Sequence, residues 1–417
     1  MSFTPLPILI TVIGGYFLFR IRAFYILHPI ASYKSTVASL KDRKNLTSFT
    51  LALAGTLGVG NVLGVAVGII VGGAGSVLWL LVSALFSSAL KYAEVVLAED
   101  NKVGGSGGMF YCIRNSFPAF GGILSLIYAV FCLLLSFVMG AALQTRTVTD
   151  TASEIFDTPP YISALIFLFL IAISVIGGKK IIGKITLFCI PLTTIIYIIL
   201  TSTVIFLNIG RLPDIIFKIL SEAFDISAAS GGILGFFTSR AIIEGYSRGI
   251  LSNEAGAGTS TIAHTTAASH TPRVAGLFGT LEVFFDTVLL CMLTAFAILL
   301  SVPDPEAYSQ GMSLVLSSIT STLGDIPGYL LLLCVLAFAY STVICWYYYG
   351  TECYSQLFGT RVRFIFLPLF LLSIFLGAYI PEGTLVFLTD IALLVLTLLT
   401  LPTLIKNSDR ICRLSEP

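Results

Sequence analysis

The stretch Leu53-Ala-Gly-Thr-Leu-Gly-Val-Gly-Asn61 lies inside an apolar run that continues to Gly72. A helix in contact with lipid gains nothing from Gly58, Gly60 and Asn61 so close together, because glycine weakens a helix and a buried asparagine needs polar partners. Broken backbone at membrane depth is tolerated only where it packs within protein or lines a cavity. The stretch therefore predicts a helix break that exposes backbone N–H and C=O groups in mid-membrane.

The run after the break has a small residue at every fourth position. Such spacing places the small residues on one face of a helix and is typical of close packing against another helix. The residues are Gly60, Gly64, Gly68 and Gly72.

The composition of the whole chain supports a membrane setting. Of the 417 residues, 56% are hydrophobic and 11% are charged, whereas a soluble domain has about 25% charged residues. The net charge of +1 gives no reason to expect a nucleic-acid partner. The 8 cysteines form no CxxC pair, so neither a metal site nor a disulfide framework is indicated. We expect an all-α polytopic protein of the lipid bilayer.

Eleven segments have the length and apolarity of a membrane span, which takes about 20 residues. With the N-terminus outside, all but three of the 23 basic residues fall on the cytoplasmic side, Arg240 and Arg248 included. This bias predicts a multi-pass protein of the plasma membrane, of the bacterial inner-membrane type, with the N-terminus outside and the C-terminus in the cytoplasm. The predicted spans are 6–26, 48–72, 76–98, 121–144, 160–177, 184–208, 229–257, 274–301, 328–350, 363–379 and 384–405.

The spans that follow the first one divide into two halves of five. Because five is an odd number, the halves must have opposite orientations, and the first helix of each half contains glycines: the Gly58–Asn61 run and Ser230-Gly-Gly-Ile-Leu-Gly235. Glycine-interrupted segments at matching positions are typical of the binding site of a secondary transporter. We therefore divide the chain into an N-terminal helix and loop (1–47), a first five-helix repeat (48–208), an inverted second repeat (209–405) and a cytoplasmic tail (406–417).

The predicted break offers two kinds of binding group. If one helix ends near Thr56 and the next begins near Gly60, free N–H groups and the positive end of a helix dipole favour a carboxylate. The unpaired carbonyls near Thr56 suit a small cation, and the Asn61 side chain adds another oxygen. The hydroxyls of Ser341 and Thr342, in the middle of another span, either bond back to the preceding turn or act as ligands for a hard cation.

Ionisable or amide side chains inside the predicted spans are few, and each is a functional hypothesis. Asp286 either belongs to a structural network or takes part in ion coupling. Glu94 either pairs with Lys91 on the same helical face or carries a proton. Gln144, at the outer end of the fourth span, either lines a cavity or is a plain interfacial residue.

We find no arrangement of residues that predicts catalysis. There is no nucleophile–base set, and the glycine-rich stretch Gly104-Gly-Ser-Gly-Gly108 lacks the Lys-Ser/Thr of a nucleotide-binding loop. We therefore expect neither an enzyme nor an ATP-driven pump, and no cofactor or nucleotide partner.

Four stretches of the chain carry a resemblance to a known family. Because these stretches occur in the order found in that family, the chain resembles the bacterial and archaeal alanine or glycine:cation symporters, often called sodium:alanine symporters. The resemblance implies an extra N-terminal helix followed by a LeuT-type fold with a five-plus-five inverted repeat and two broken helices. The stretches are Ala54-Gly-Thr-Leu-Gly-Val-Gly-Asn-Val-Leu-Gly-Val-Ala66, Lys91-Tyr-Ala-Glu-Val-Val-Leu-Ala98, Arg248-Gly-Ile-Leu-Ser-Asn-Glu-Ala-Gly-Ala-Gly258 and Ser341-Thr-Val-Ile-Cys-Trp-Tyr-Tyr-Tyr-Gly350.

The resemblance also implies a site, carried over by position. It implies a sodium site formed by the carbonyls of Ala54, Thr56 and Leu57 with the hydroxyls of Ser341 and Thr342. It implies substrate contacts at both breaks and in the fourth span, namely Gly58, Val59, Gly60, Asn61, Gln144, Gly231, Gly232 and Phe236.

This sequence departs from the family pattern in the fourth span. The family reads Gly-Asn-x-x-Gln-x-Asn, whereas this chain has Gly140-Ala-Ala-Leu-Gln-Thr-Arg146, so Ala141 and Arg146 replace the two asparagines. A family Gly-Gly-Pro motif is Gly107-Gly108-Met109 here. These changes leave the fold expectation intact and the identity of the substrate open.

The sequence therefore predicts sodium-coupled symport of a small neutral amino acid, of the alanine or glycine class, by alternating access. Two alternatives stay open. One is proton-coupled symport with Asp286 or Glu94 as the proton carrier, and the other is a transporter-like protein that senses a ligand without net flux.

Overall fold

The computed structural model describes residues 5–103, 106–176, 178–224, 239–266, 271–359 and 363–416. These residues form helices and connecting turns, with one isolated β-bridge between Val103 and Ser106. The α-helices are Pro5–Arg20, Phe24–Leu27, Pro29–Ser39, Arg43–Thr56, Leu63–Gly72, Ser76–Asp100, Met109–Ser116, Gly121–Phe137, Gln144–Phe156, Pro160–Ile176, Gly178–Leu207, Leu212–Ala223, Arg240–Asn253, Thr261–His264, Pro272–Val283, Met292–Ser301, Gly311–Leu323, Asp325–Phe358, Arg363–Gly377, Glu382–Lys406 and Ser408–Ser415.

In the part of the chain that the structure describes, 6 helices are long and apolar enough to cross a membrane. A seventh span is the bent pair Arg43–Thr56 and Val59–Gly72, whose halves meet at 58°. The prediction of an all-helical polytopic membrane protein is therefore confirmed. The 6 continuous helices are Ser76–Asp100, Gly121–Phe156, Ile181–Leu207, Pro272–Ser301, Asp325–Phe358 and Glu382–Lys406.

The other four predicted spans coincide with shorter helices. Pro5–Arg20, Pro160–Ile176, Arg240–Asn253 and Arg363–Gly377 have 16, 17, 14 and 15 residues. The first span was expected to reach residue 26, but its helix ends at Arg20. The chain turns there because Arg22 and Ala23 adopt the left-handed conformation, with φ of 57° and 44°.

The fourth span is longer than the sequence predicts. The prediction ends it at residue 144, but the helix continues from Gly121 to Phe156, so Gln144 lies well inside it and not at its outer end. The cause is burial: polar residues such as Thr145, Thr149 and Thr151 face other helices and not water or lipid.

The seventh predicted span, 229–257, has a helix only over Arg240–Asn253. This helix ends early because Glu254 adopts a left-handed conformation, with φ of 54°. The predicted second break, with Gly231, Gly232 and Phe236, lies outside the described residues.

Arg240 and Arg248 do not lie at the Arg43 end of the molecule, although the prediction places all three on the cytoplasmic side. The carbonyl oxygen of Arg240 lies 3.2 Å from where a Cβ on Gly72 would be, at the end of the broken helix that is opposite to Arg43. Arg248 lies two turns further along and packs against Gly68. The helix therefore runs in the direction that the eleven-span prediction gives to its seventh span, and only the assignment of these two arginines to the cytoplasmic side disagrees with the structure.

The glycine stripe packs closely at Gly68 and Gly72, as predicted, whereas Gly60 and Gly64 leave room for a Cβ. A Cβ on Gly68 would lie 3.1 Å from Arg248 Cγ, and one on Gly72 would lie 2.9 Å from Glu244 Cβ. The small residues therefore let the half-helix Leu63–Gly72 approach the helix Arg240–Asn253 closely.

The broken helix lies between two groups of helices. Its second half packs on Arg240–Asn253, and its first half packs on Asp325–Phe358. The helix Ser76–Asp100 joins the first group by packing against Pro5–Arg20, Arg240–Asn253 and Pro272–Val283. The helix Asp325–Phe358 joins the second by packing against Gly121–Phe137 and Gly178–Leu207.

Candidate substrate and ion site

The helix break falls at the glycine–asparagine run. The first half-helix ends at Thr56, and helical turns resume at Val59. Between them Gly58 is extended, with φ of −102° and ψ of −166°, and its N–H donates to the Thr56 carbonyl at 2.7 Å. The predicted position of this break is confirmed.

A cavity of about 550 Å³, open solvent included, lies against the break. Among the predicted substrate contacts, Gly58, Val59, Gly60 and Gln144 line it. The N–H of Val59 points to Gln144 Oε1 at 3.5 Å, which is a long bond. Because a helix start leaves its first N–H groups without partners inside the helix, this wall of the cavity is rich in donors.

The remaining walls of this cavity are largely apolar. A pair of opposite charges, Arg248 and Glu382, lies among its lining residues, and both also line a neighbouring cavity with Ser309 and Asp390. The apolar side chains are Leu63, Val67, Met139, Leu143, Leu251 and Val386.

A separate cavity enters the molecule from the opposite end of the broken helix. It is lined by Asp42, Ser48, Leu51 and Tyr348. Leu51 lies one helical turn before Gly55, which lines the cavity at the break. The two cavities are therefore separated by about one turn of the half-helix Arg43–Thr56.

Asn61 does not line the cavity but takes part in a buried network. Its Nδ2 donates to Asp286 Oδ1 at 2.5 Å. The Ser252 hydroxyl lies 2.6 Å from Asp286 Oδ2 and 2.9 Å from Asn61 Oδ1. Because it has a single proton, it donates a hydrogen bond to one of them at a time. Thr287 donates to Asp286 Oδ2 at 2.8 Å. The network joins the break to two other helices.

The predicted cation ligands divide into two groups in the structure. The Thr342 hydroxyl crosses to the broken helix and donates to the Ala54 carbonyl at 2.9 Å. The Ser341 hydroxyl stays within its own helix, 2.9 Å from the carbonyl of Ala337 and 3.0 Å from that of Phe338. Hydroxyl and carbonyl oxygens each have two lone pairs, so these bonds leave room for a cation.

Lys91 and Glu94 do not form the predicted ion pair. The ammonium of Lys91 lies 3.5 Å from Glu282 Oε1 and donates to Ser260 Oγ at 2.9 Å. Glu94 instead accepts the N–H of Gly256 at 2.6 Å. The cause is tertiary packing. Other segments pack on this face of the helix and give Lys91 and Glu94 closer partners than they are to each other.

Sequence reasoning missed several features of this region. Wide π-helical turns at Val138–Leu143 and Phe284–Cys291 interrupt two spans, one just before Gln144 and one around Asp286. Such turns are frequent at functional sites and have no simple sequence signal. Ser252 was also missed, although it lies within the quoted stretch Arg248–Gly258, because its contacts with Asn61 and Asp286 depend on tertiary packing.

Comparison with known proteins shows the family of this chain. Residues 1–414 match the Sodium:alanine symporter family. The chain is 33% identical over 348 residues to the sodium/alanine symporter AgcS of Methanococcus maripaludis, covering 81% of this chain and 76% of that protein. It is 30% identical over 410 residues to an uncharacterized transporter of Haemophilus influenzae, covering 93% and 87% of the two chains.

Two solved structures show the same fold at low sequence identity. MhsT in complex with L-phenylalanine has a TM-score of 0.61 and 15% identity, covering 85% of this chain and 87% of that chain. A manganese transporter of Eremococcus coleocola has a TM-score of 0.55 and 12% identity, covering 85% and 76%. The fold is therefore that of LeuT-type transporters. With its full-length match, the chain belongs to the sodium:alanine symporter family of sodium-coupled amino-acid transporters, and it is not an enzyme.

Proposed function

We propose that this chain carries a small neutral amino acid, of the alanine or glycine class, across the membrane together with sodium. The observation that carries the proposal is the cavity at the helix break. One wall is the backbone of Gly58, Val59 and Gly60, where the Val59 N–H makes only a long bond to Gln144, and the remaining walls are largely apolar. A carboxylate suits the first wall and a short apolar side chain suits the others.

A neutral substrate is supported by the largely apolar side chains that line the cavity. Its two charged lining residues are Arg248, which pairs with Glu244 at 2.9 Å, and Glu382. Gln144, whose side-chain oxygen lies near the Val59 N–H, can bond the ammonium or the carboxylate of a bound amino acid. Because Ala141 is fully buried and does not line the cavity, its replacement of the family asparagine bears on packing more than on direct contact.

The proposed sodium site lies beside the proposed substrate site. It comprises the carbonyls of Ala54, Thr56 and Leu57 with the hydroxyls of Ser341 and Thr342. The contact between Thr342 and the Ala54 carbonyl supports it, because that contact brings two of the proposed oxygen ligands together. Hard cations prefer oxygen ligands of this kind. No cofactor is part of the proposal.

Alternating access is supported by the two cavities on opposite sides of the break. The segment from Leu51 to Gly55 separates the two cavities, so a change in the packing around it would close one cavity and open the other. We also propose that the chain has eleven spans, with an extra N-terminal helix (1–47), two inverted five-helix repeats (48–208 and 209–405) and a tail (406–417), in a plasma membrane of the bacterial inner-membrane type.

Sodium-driven uptake into proteoliposomes tests the proposal. We expect labelled alanine or glycine to accumulate under an inward sodium gradient and not under an equal potassium gradient. Accumulation driven only by a proton gradient would support the alternative in which Asp286 or Glu94 carries a proton. Ligand-dependent thermal stabilisation without net flux would support the sensor alternative. Uptake that is indifferent to sodium at every gradient excludes the proposed coupling.

A further inference from the structure

A second group of ionisable side chains is buried away from the cavity at the break. It comprises Lys91, Glu94, Glu254, His264 and Glu282, and we name it the Lys91 cluster. Each of these residues is at most 3% exposed. They come from the helix Ser76–Asp100, from the segment after Asn253, and from the helix Pro272–Val283. The cluster therefore joins elements that precede the helix Arg240–Asn253 in the sequence to elements that follow it.

The contacts in the Lys91 cluster are specific. Lys91 faces Glu282 at 3.5 Å, and Glu282 Oε2 lies 2.5 Å from His264 Nε2. Lys91 is also within electrostatic range of Glu94 and Glu254. Glu254 accepts the hydroxyl of Thr259, the neighbour of the Ser260 that Lys91 contacts.

The charges in this cluster do not balance. Three carboxyl groups face one ammonium, and His264 adds at most one more positive charge. If Glu94, Glu254 and Glu282 were all ionised, the cluster would have a net negative charge at a site that is buried from bulk solvent. Burying a net charge is so unfavourable that a group is neutralised instead.

In the described residues, three carboxyl oxygens of the Lys91 cluster accept no hydrogen bond, and one of them, Glu282 Oε1, faces the Lys91 ammonium. Within the described residues, Glu94 Oε2 and Glu254 Oε1 are buried and have no hydrogen-bond partner. Unpartnered buried carboxylate oxygens are rare and call for an explanation, such as a bound ion or proton. No set of three or more acidic, histidine or cysteine side chains in the described ranges has the arrangement of a metal site. A proton neutralises a buried carboxylate without further ligands, which is the usual outcome when such a group lacks a partner.

Among the described residues, the following neighbours of the cluster supply no compensating positive charge. Tyr128, from the helix Gly121–Phe137, donates its hydroxyl to the Ala257 carbonyl at 2.8 Å. Tyr349 and Cys345, from the helix Asp325–Phe358, lie within electrostatic range of Glu254 and Glu282. Asp286, one turn after Glu282, adds a further carboxyl group. These groups are neutral or acidic, so they leave the excess negative charge in place.

We propose that the Lys91 cluster is a proton-binding site, with one proton held on Glu94 or Glu254, and that it is separate from the proposed substrate and sodium sites. The proton is resident and is not moved with the substrate. It holds the segment after Asn253 against the helix Ser76–Asp100. When the proton leaves at alkaline pH, the excess negative charge loosens this contact.

The sign of the pH dependence follows from this arrangement. The folded protein binds one more proton than the unfolded chain at neutral pH, because exposed glutamates are ionised there. Stability is therefore fully present at low pH and decreases as the pH rises. Maximal uptake at saturating sodium and substrate decreases with it.

The test is the thermal unfolding midpoint of the purified full chain in detergent, measured from mildly acidic to alkaline pH without sodium. We expect the wild-type midpoint to fall by several degrees as the pH rises. Glu94→Gln or Glu254→Gln each removes one negative charge and is expected to abolish this fall. The control is Glu154→Gln, an exposed glutamate of the helix Gln144–Phe156, which is expected to keep it.

Three results would overturn the proposal. The first is a wild-type pH dependence in both Glu94→Gln and Glu254→Gln. The second is a sodium-induced stabilisation that disappears in Glu94→Gln, because the ligand would then be the metal cation. The third result applies if both variants fail to fold, and it comes from infrared spectroscopy of the wild type. The absence of a C=O stretch from a buried protonated carboxyl group at neutral pH would overturn the proposal. None of these results depends on whether uptake is driven by sodium.

Discussion

At the scale of single residues, Ser341 and Thr342 occupy adjacent positions but make different contacts. Thr342 reaches the broken helix, whereas Ser341 bonds within its own helix. Thr342→Val keeps the shape and removes the donor to Ala54, so we expect it to lower the free energy of unfolding by about 1 kcal/mol even without sodium. Ser341→Ala is expected to raise the sodium concentration for half-maximal uptake while stability without sodium stays nearly unchanged.

The measurements are unfolding in sodium-free buffer and uptake as a function of sodium concentration. Thr203→Val is a matched control, because this exposed hydroxyl bonds only back to the Ile199 carbonyl in the described structure. Wild-type sodium activation in both Ser341→Ala and Thr342→Val would exclude these two residues as ligands of the proposed sodium site.

At the scale of elements, the stripe Gly60–Gly72 and the helix Arg240–Asn253 fit closely. A Cβ on Gly72 would lie 2.9 Å from Glu244 Cβ and 3.2 Å from the Arg240 carbonyl, and backbone cannot move aside cheaply. We expect Gly72→Ala to lower the free energy of unfolding by about 1–3 kcal/mol. Gly64→Ala is the control, because its nearest neighbour, Arg248 Cδ, would be 3.9 Å away.

For Gly64→Ala we expect no loss of stability, since alanine is favoured over glycine in a helix by about 1 kcal/mol. Chemical or thermal unfolding in detergent checks both variants. Equal stability of Gly72→Ala and Gly64→Ala would contradict the close fit.

How far the sequence predicts the elements depends on whether their signals are local. The break was predictable because Gly58, Gly60 and Asn61 conflict with a lipid-facing helix within a few residues. The end of the fourth span was not, because Thr145–Phe156 looks like a loop unless its burial is known. The contact of Asn61 with Asp286 was also beyond local reasoning, since it joins residues far apart in the chain through packing.

At the scale of the whole molecule, several contacts gather chain segments at one end. Arg20, which ends the first helix, pairs with Asp409, and Arg410 pairs with Asp100 at 2.5 Å. The C-terminal helix Ser408–Ser415 therefore lies at the same end as Arg20. The loop with Asp304 and Glu306 is acidic. Even with Arg240 and Arg248 removed from the count, the basic residues favour the Arg20 end as cytoplasmic.

This arrangement predicts the orientation of the chain in the membrane. A fluorescent protein fused after Pro417 should fluoresce in cells, because this fold matures in the cytoplasm and not after export. Alkaline phosphatase, which needs an exported and oxidising environment, should be active when inserted near Glu306 and inactive at the C-terminus. The reverse pattern would place the Arg20 end outside. The cavity lined by Arg248 and Glu382 would then face the cytoplasm, whereas the direction of net symport, which the sodium gradient sets, would stay inward.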